Sequence, residues 1–304
     1  MNTARIAELL EPFLVTPLAS SETSPSSNSN RPEASRFPAP EGSQQTRPEP
    51  ARREPPVLSP IQLQYISTYI DILLRWNARI NLTAIRDPED IVTRHFGESL
   101  FAACHLFPLP APVSPMSFVV RGVDSTIDAH RKRKEAPAPQ NVLDENPFVS
   151  ARSSTLADIG SGAGFPGLPI KLWAPHISLT LIESNHKKAA FLREITRALT
   201  LTDVNIKTAR AETLTASTYD VVTLRAVERF ESILPTAAAL VPPAGRLAIL
   251  IGVSQNRQAR LSLPAFMWSE PVPIPNSRTR VLLVGNQPST KWNRDPTIPQ
   301  LPRA

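Results

Sequence analysis

Residues 158–167 read DIGSGAGFPG and directly follow a short apolar run, Leu156–Ile159, which we predict to be a β-strand. Glycines in such a turn let the backbone fold back tightly, and they let a ligand approach main-chain N–H groups without a Cβ in the way. In a doubly wound sheet, the turn after the first strand is where ligands of nucleotide type bind. Glu183 closes the next predicted strand, where a carboxylate can accept both hydroxyl protons of a ribose.

The same strand-and-helix pattern continues along the chain. Short apolar runs separated by helical patterns predict further strands at 177–183, 204–207, 221–224 and 247–251. This alternation predicts an α/β fold, with a mostly parallel, doubly wound sheet covered by helices on both faces. The run Val281–Val284 follows a proline-broken stretch, and we predict it to be an antiparallel strand at the end of the sheet.

The part of the chain before residue 108 is predicted to be a helical N-terminal extension. Ser59-Pro60 and Asp87-Pro88 each place a capping residue before a proline, which is a typical helix start. The first of these helices should end near Asn77 and the second should run through Leu100, with a polar loop at 79–86 between them. Residues 1–16 predict a short amphipathic helix, whose apolar face is formed by Ile6, Leu9, Leu10 and Phe13.

Three segments are too rich in proline and polar residues to bury a core. The 304-residue chain has 33 prolines and only 10 glycines. We expect 17–57 to be a disordered low-complexity segment, 108–153 a disordered insertion and 287–304 a flexible tail. The remaining residues form one domain of ordinary size, made of the helical part 58–107 and a core at 154–286.

Composition also excludes several classes of protein. The single cysteine, Cys104, rules out a disulfide framework or a Cys-x-x-Cys metal site and fits a reducing compartment, so we expect a buried structural thiol. The chain contains no apolar run long enough to span a membrane, and Glu8 and Glu11 interrupt the apolar pattern that a signal peptide would need. We therefore expect a cytoplasmic monomer with no metal and no membrane contact.

The positive net charge permits an RNA partner without establishing one. The chain carries a net charge of +6, but the foldable part contributes only +3. The densest basic run, Arg131–Lys134, lies in the predicted insertion. It is either a solvated loop or a nonspecific phosphate contact.

The residues alone leave the cofactor open between two classes. Gly162-x-Gly164-x-x-Gly167 matches the G-x-G-x-x-G pattern of dinucleotide-binding enzymes, although a lone match is a weak signal. Asp158, two residues before Gly160, instead fits the D-x-G-x-G-x-G turn of class I methyltransferases, which wraps the amino-acid end of S-adenosylmethionine. We favour the methyltransferase over a nicotinamide enzyme, and both over a purely structural turn.

A longer set of motifs then resembles one family. Residues 76–101 (WNARINLTAIRDPEDIVTRHFGESLF), the DIGSGAGFPGLP turn, LIESNHKKAAFLREI, RAE at 210–212 and LRA at 224–226 occur in the order of the RsmG (GidB) family. This family consists of bacterial methyltransferases that act on guanine N7 in 16S ribosomal RNA. The resemblance implies a Rossmann-like class I fold of about 200 residues, so 17–57 and 108–153 look like insertions.

The resemblance also implies which residues form the site. It assigns S-adenosylmethionine binding to Asp158, Gly160, Gly162, Gly164, Phe165, Glu183, Ala211, Glu212 and Arg225. Glu183 would hold the ribose, and Ala211 and Glu212 would frame the adenine. Arg225 ends the fourth strand, where it would also align the target base with the methyl donor; the alternative is a surface ion pair.

The N-terminal block supplies candidates for the side that faces RNA. These are Asn81, Arg86, Arg94 and His95, and each has a structural alternative. His95 lies on an apolar stripe and is equally well explained as a core residue, and Asn81 could simply hold its own loop together. Trp76 could stack on a flipped base, but at the end of an apolar helix face it is better explained as a core residue.

Two positions depart from the family pattern. Glu98-Ser99 stands where the family usually has Asp-Ser, and Ile251 stands where it usually has lysine. Glu98 keeps the charge, whereas Ile251 loses a possible substrate contact. The expected substrate is 16S rRNA, naked or within the small ribosomal subunit. The alternatives are a small-molecule methyltransferase and an RNA-binding protein with a vestigial cofactor pocket.

Overall fold

The computed structural model describes residues 1–14, 57–108, 153–214, 218–225 and 230–289. The segments 17–57, 108–153 and 287–304, for which we predicted disorder or flexibility, lie outside the described residues except at their ends. The basic run Arg131–Lys134 also lies outside them.

The centre of the protein is a mostly parallel sheet. Its parallel strands are β1 (Thr155–Ile159), β2 (Ser178–Ile182), β3 (Val204–Lys207), β4 (Val221–Arg225) and β5 (Arg246–Gly252). They lie in the order β3-β2-β1-β4-β5, so the chain changes direction across the sheet between β1 and β4. This is the doubly wound α/β arrangement predicted from the sequence.

The antiparallel end of the sheet is larger than predicted. β8 (Arg280–Asn286) pairs antiparallel with β5, as expected. Two short strands, β6 (Met267–Trp268) and β7 (Val272–Pro273), pair with β8, so β8 does not form the edge. Two-residue strands carry no alternating apolar pattern, and for this reason the sequence did not reveal them.

Helices cover both faces of the sheet. They are α5 (Gly167–Trp173), α6 (His186–Ala198), α7 (Phe230–Ala239) and α8 (Asn256–Ser262). Successive residues of a strand point to opposite faces, and the buried side chains divide accordingly. Leu156 of β1 belongs to one apolar cluster, whereas its neighbour Ala157 belongs to the other.

The N-terminal extension is helical, with boundaries that differ from the prediction. Its helices are α1 (Thr3–Leu10), α2 (Pro60–Ile80), α3 (Pro88–Asp90) and α4 (Glu98–Leu106), and a π-helical turn, Ile91–Gly97, joins the last two. α2 continues one turn beyond Asn77 because Asn81 ends it in the left-handed conformation, with φ 47°. Ser59 and Gln62 form the capping box that begins α2.

The extension is packed into the same core as the sheet. Phe13 lies so close to Gly97 that a Cβ there would come within 2.7 Å of the ring. Trp76 packs edge-on against Phe191 of α6 and donates to Glu194 at 2.9 Å, so it is a half-buried residue at the border of the core. The hydroxyl of Tyr69 on α2 donates to the carbonyl of Ala163, which ties α2 to the glycine-rich turn.

Two predictions about composition concern described residues. Cys104 is buried in the apolar core, as expected for a structural thiol. Within the ranges given above, the helices are all too short or too polar to cross a membrane.

Candidate active site

A cavity of about 570 Å³ opens at the carboxyl ends of β1 and β2. Pockets that bind small molecules in proteins have volumes of this order. Its wall includes four of the residues predicted to bind the cofactor, namely Gly160, Glu183, Ala211 and Glu212. They come from three successive strand ends, which parallel strands bring to one edge of the sheet.

The glycine-rich turn is held against the end of β2. Gly160, Gly162 and Gly164 all have positive φ, at 67°, 55° and 86°. The N–H groups of Gly160 and Ser161 both donate to the carbonyl of Ile182. At Gly164 a Cβ would collide with the side chains of Tyr69 and Leu168, so this position requires glycine for space as well as for conformation.

Glu183 connects the turn to the next helix. One carboxylate oxygen accepts from the N–H of Gly162 at 2.9 Å, and the other accepts from the N–H of Asn185 at 2.7 Å. Asn185 in turn caps α6. A carboxylate has about four acceptor sites, so two remain for the hydroxyl groups of a ligand in the cavity.

The other residues predicted to bind the cofactor do not form part of this wall; they are Asp158, Gly162, Gly164, Phe165 and Arg225. Asp158 is fully buried beneath the turn, where it accepts from Gly167 N–H at 3.2 Å and from the hydroxyl of Thr223 at 3.0 Å. Burial raises the pKa of Asp158 to about 7, against the opposing effect of these hydrogen bonds. Asp158 therefore ties the turn to β4 and contributes to the cavity only through the position of the turn.

Phe165 lies in a cluster of aromatic rings. It stacks on Tyr69, with ring centroids 5.5 Å apart, and on His95, with centroids 4.7 Å apart. The guanidinium carbon of Arg225 lies 5.9 Å from the centre of its ring. Phe165 thus connects the glycine-rich turn to the residues around Arg225.

Arg225 ends β4, across the switch point from the cavity, and its side chain is only 7 % exposed. Its Nη2 donates to the carbonyl of Arg94 at 2.5 Å and to Nδ1 of His95 at 2.9 Å. Burial lowers the pKa of Arg225 to about 10, which leaves it charged at neutral pH. The alternative considered for Arg225, an ion pair, is present with Glu98, but it is buried and does not lie at the surface.

A third residue, which the sequence had not singled out, joins this ion pair. Nη2 of Arg225 and Nε of Arg280 each lie 3.1 Å from the same oxygen of Glu98, which is 3 % exposed. Arg280 begins β8, opposite Gly252 in the register with β5. We call Glu98, Arg225 and Arg280 the arginine cluster. The one sequence signal for Arg280 was a charged residue directly before the apolar run 281–284.

His95 is a fixed, neutral partner of the arginine cluster. An arginine can only donate, so Nδ1 of His95 accepts and the proton lies on Nε2, which donates to the hydroxyl of Thr83 at 2.7 Å. Burial and the charge of Arg225 lower the pKa of His95 to about 3. Both ring nitrogens are therefore occupied by protein groups.

The other RNA-side candidates lie on the surface. Asn81, Arg86 and Arg94 are exposed. The loop between α2 and α3 is held by Asn77, which bonds both the N–H and the carbonyl of Thr83 at 2.9 Å. Asn81 thus ends α2, whereas the loop-holding role considered for it belongs to Asn77.

At Ile251, where the family usually has lysine, the structure has a core residue. Its side chain is 4 % exposed and lies in the apolar cluster on the α7 and α8 side of the sheet. It therefore offers no contact to a ligand.

Comparison with known proteins points to one family. The chain matches the sequence model of GidB, described as rRNA small subunit methyltransferase G, over residues 62–107 and 140–270. The gap between these two ranges falls within the predicted insertion.

Two curated relatives illustrate the similarity. The ribosomal RNA small subunit methyltransferase G of Roseiflexus sp. (strain RS-1) is 34% identical over 255 residues, which cover 80% of this chain and 88% of that protein. The protein of the same name from Xanthomonas campestris pv. campestris (strain B100) is 33% identical over 198 residues, covering 65% of this chain and 72% of that one.

Solved structures show weaker similarity. An O-methyltransferase family protein from Burkholderia thailandensis has 17% identity and a TM-score of 0.40, covering 46% of this chain and 53% of that one. A ribosomal protein L11 methylase from Lactobacillus delbrueckii subsp. bulgaricus has 13% identity and a TM-score of 0.39, covering 46% of this chain and 74% of that one.

Proposed function

The chain belongs to the GidB family, the rRNA small subunit methyltransferases G, and on that basis we propose its reaction. It transfers a methyl group from S-adenosylmethionine to N7 of a specific guanosine in 16S ribosomal RNA. The substrate is the RNA itself or the small ribosomal subunit, so the enzyme acts in the cytoplasm.

The residues around the cavity fit S-adenosylmethionine. Gly160 lines the cavity and carries no side chain, so the amino-acid end of the cofactor can approach the main chain there. Glu183 keeps acceptor sites for the two ribose hydroxyls, and the short 3₁₀ turn Ala211–Thr213 would border the adenine. When bound, the cofactor supplies a methyl group that is already activated by a positively charged sulfur.

The reaction needs no general base, and among the described residues the carboxylate beside Arg225, that of Glu98, is already engaged in a buried ion pair. Guanine N7 has a lone pair in the plane of the ring and no proton to remove. Both ring nitrogens of His95 are engaged, by Thr83 and Arg225, and Asp158 is sealed beneath the turn. Catalysis would therefore rest on alignment and on exclusion of water, which together contribute at most roughly 7–11 kcal/mol.

Arg225 would align the target base. Its Nη2 is held by the carbonyl of Arg94 and by His95, so the position of the guanidinium is determined before the substrate arrives. Because positive charge develops on the guanine, the arginine must contact the O6 acceptor and not N7. The observation that carries the proposal is this arrangement: a cofactor cavity at β1 and β2, with a buried, pre-positioned arginine at the end of β4.

The cofactor is tested by isothermal titration. We expect binding of S-adenosylmethionine and of its demethylated product, but not of NAD. Gly162→Val should abolish binding, because a β-branched residue is strained at φ 55° and would displace the N–H that holds Glu183. The control is Arg257→Ala, an exposed change on α8 outside the cavity wall. Equal affinity for NAD would overturn the methyltransferase assignment of the cavity.

The substrate is tested by primer extension on unmodified small-subunit rRNA. After incubation with enzyme and cofactor, borohydride and aniline cleave RNA at N7-methylguanosine. We expect one enzyme-dependent stop at a guanosine. Cofactor binding without any stop, on naked RNA or on small subunits, would favour an RNA-binding protein with a vestigial pocket. Methyl transfer only to small molecules would favour the other alternative.

A further inference from the structure

The arginine cluster has hydrogen-bond donors that the protein itself does not use. Among the described residues, Nε of Arg225 and both Nε and Nη2 of Arg280 are buried without a hydrogen-bond partner. The oxygen of Glu98 that lies near both arginines is close enough for ion pairing, but no hydrogen bond reaches it. A buried charged donor without a hydrogen-bond acceptor is costly, so a ligand that accepts from these groups is favoured, and the Arg280 side chain, which is 24 % exposed, gives such a ligand access to the cluster.

The charge of the cluster identifies the kind of ligand. Two guanidinium groups face one carboxylate, and His95 is neutral, so the cluster carries an excess positive charge. The cofactor adds another positive charge, and the methylated guanine becomes cationic as well. A ligand that completes the cluster must therefore be an anion with at least two acceptor oxygens, because guanidinium groups present donors in a fixed fork.

The position of the cluster favours an anion from the RNA over one from the cofactor. None of the residues of the cluster lines the cofactor cavity. The cluster instead adjoins the helical extension, through the carbonyl of Arg94 and the ring of His95. Arg94, whose carbonyl accepts from Arg225, has an exposed side chain and adds a positive charge on the outer side of the cluster. A phosphodiester group of an RNA strand crossing this surface would reach the buried donors.

We propose that Arg280, together with the Nε edge of Arg225, binds a phosphodiester group of the RNA next to the target nucleotide, and that Glu98 holds the two arginines at the spacing this requires. The proposal rests on the proposed function, because it presumes an RNA substrate. In this proposal Arg280 binds and positions the substrate. It takes no part in the methyl transfer, which depends on the alignment of base and cofactor.

The test compares Arg280→Gln with Arg278→Gln, its matched control. Arg278 is an exposed residue two positions earlier on the same β7–β8 turn, so both variants lose one positive charge in the same region. Binding to an in vitro transcript of small-subunit rRNA is measured over a range of salt concentrations. Cofactor binding is measured separately by isothermal titration. Arg280→Lys, which keeps the charge beside Glu98, serves as a second variant in case Arg280→Gln fails to fold, and thermal unfolding checks all three.

We expect Arg280→Gln to weaken RNA binding about tenfold at 0.1 M salt and to reduce the slope of log K against log salt by about one, as loss of one phosphate contact predicts. Arg280→Lys should restore the slope but only part of the affinity. Arg278→Gln should leave the slope unchanged, and no variant should change the affinity for the cofactor.

Three results would overturn the proposal in distinguishable ways. If Arg280→Gln weakens cofactor binding and leaves RNA binding unchanged, the anion is the carboxylate of the cofactor. If Arg280→Gln and Arg278→Gln have equal effects, the cluster does not contact RNA. If the wild-type protein neither binds nor methylates the transcript or the small subunit, the proposed function has failed, and this inference fails with it.

Discussion

The cofactor cavity and the arginine cluster lie at the same edge of the sheet, but they are built in different ways. The glycine-rich turn beside the cavity is held by its backbone N–H groups, since Gly162 N–H bonds Glu183 and Gly160 N–H bonds Ile182, at the end of the next strand. The cluster is formed by charged side chains from α4, β4 and β8, parts of the chain that are far apart in sequence. The first depends on local conformation, whereas the second depends on the balance of buried charges.

The difference predicts that the two regions fail differently when they are altered. A change in the cavity should act mainly on binding of the cofactor. A change in the cluster should act on stability and on handling of the substrate, since removing one member leaves the others buried and unpaired.

The largest effect is expected from Glu98→Ala. This change leaves the guanidinium groups of Arg225 and Arg280 without their shared carboxylate, and breaking a buried pair in this way costs about 3–5 kcal/mol of unfolding free energy. Urea denaturation measures the loss. The control is Glu89→Ala, which removes an exposed partner of Arg5 and should cost far less. Equal losses in the two variants would show that the cluster is open to solvent.

Arg225→Ala and Arg225→Lys separate the cluster from the cavity. We expect turnover on RNA to fall by one to three decades, about 1.4 kcal/mol of barrier per decade, while most of the cofactor affinity remains. Lysine keeps the charge but cannot reproduce the fork that reaches Arg94, His95 and the base. Arg257→Ala, an exposed change on α8, controls for loss of positive charge. If Arg225→Ala loses cofactor affinity in proportion to activity, Arg225 belongs to the cavity.

Two buried groups should make stability respond oppositely to pH: His95 beside the arginine cluster and Asp158 beneath the glycine-rich turn. The folded-state pKa of His95, about 3, lies below its ordinary 6.5, so His95 makes the protein less stable as pH falls from 6.5 toward 3. The folded-state pKa of Asp158, about 7, lies above its ordinary 3.8, so Asp158 makes the protein less stable as pH rises from 4 toward 7. Each slope is at most about 1.4 kcal/mol per pH unit, and between pH 4 and 6.5 the two oppose each other.

Two variants separate these slopes. Relative to wild type, His95→Gln should lose stability as pH rises from 4 to 6.5, because the effect of Asp158 is no longer opposed. Asp158→Asn should instead gain stability over the same range. Unfolding by urea at several pH values measures both differences. Parallel curves for all three proteins would mean that neither group titrates with the shifted pKa.

The smallest effect is expected from replacing 109–152 with a short Gly/Ser linker. The residues that flank this segment are held at one corner of the fold: Phe107 accepts from Trp173, and Ser153 donates to His176, three residues further on. The linker should leave cofactor binding unchanged and stability no lower, since each halving of a flexible loop lowers its closure cost by about 0.6 kcal/mol. Loss of folding would show that the insertion contributes to the core. Loss of RNA methylation with folding and cofactor binding intact would show that it contributes to the substrate site.

Much of the fold could be predicted from the sequence, because its signals are local. The apolar runs at 156–159 and 204–207, the caps at Ser59 and Asp87 and the glycine-rich turn each act within a few residues. The same is true of the cavity, where Gly160, Glu183, Ala211 and Glu212 meet because parallel strands end at a common edge. That these residues bind the cofactor stays a prediction.

Other features could only be decided by the tertiary structure. The π-helical turn before Glu98 and the short strands β6 and β7 have no periodic signal of their own. Asp158 belonged to the expected cofactor motif, yet its carboxylate is directed to Thr223 on the adjacent strand.

The arginine cluster is the clearest case. Arg280 reaches Glu98 and Arg225 only because β8 returns antiparallel beside β5 and α4 packs nearby. A sequence determines local conformation through backbone sterics and short-range hydrogen bonds, which act over a few residues. The charge partners of a buried side chain are determined by which distant segments pack around it, because the strength of their interaction depends on burial and on distances of a few ångströms.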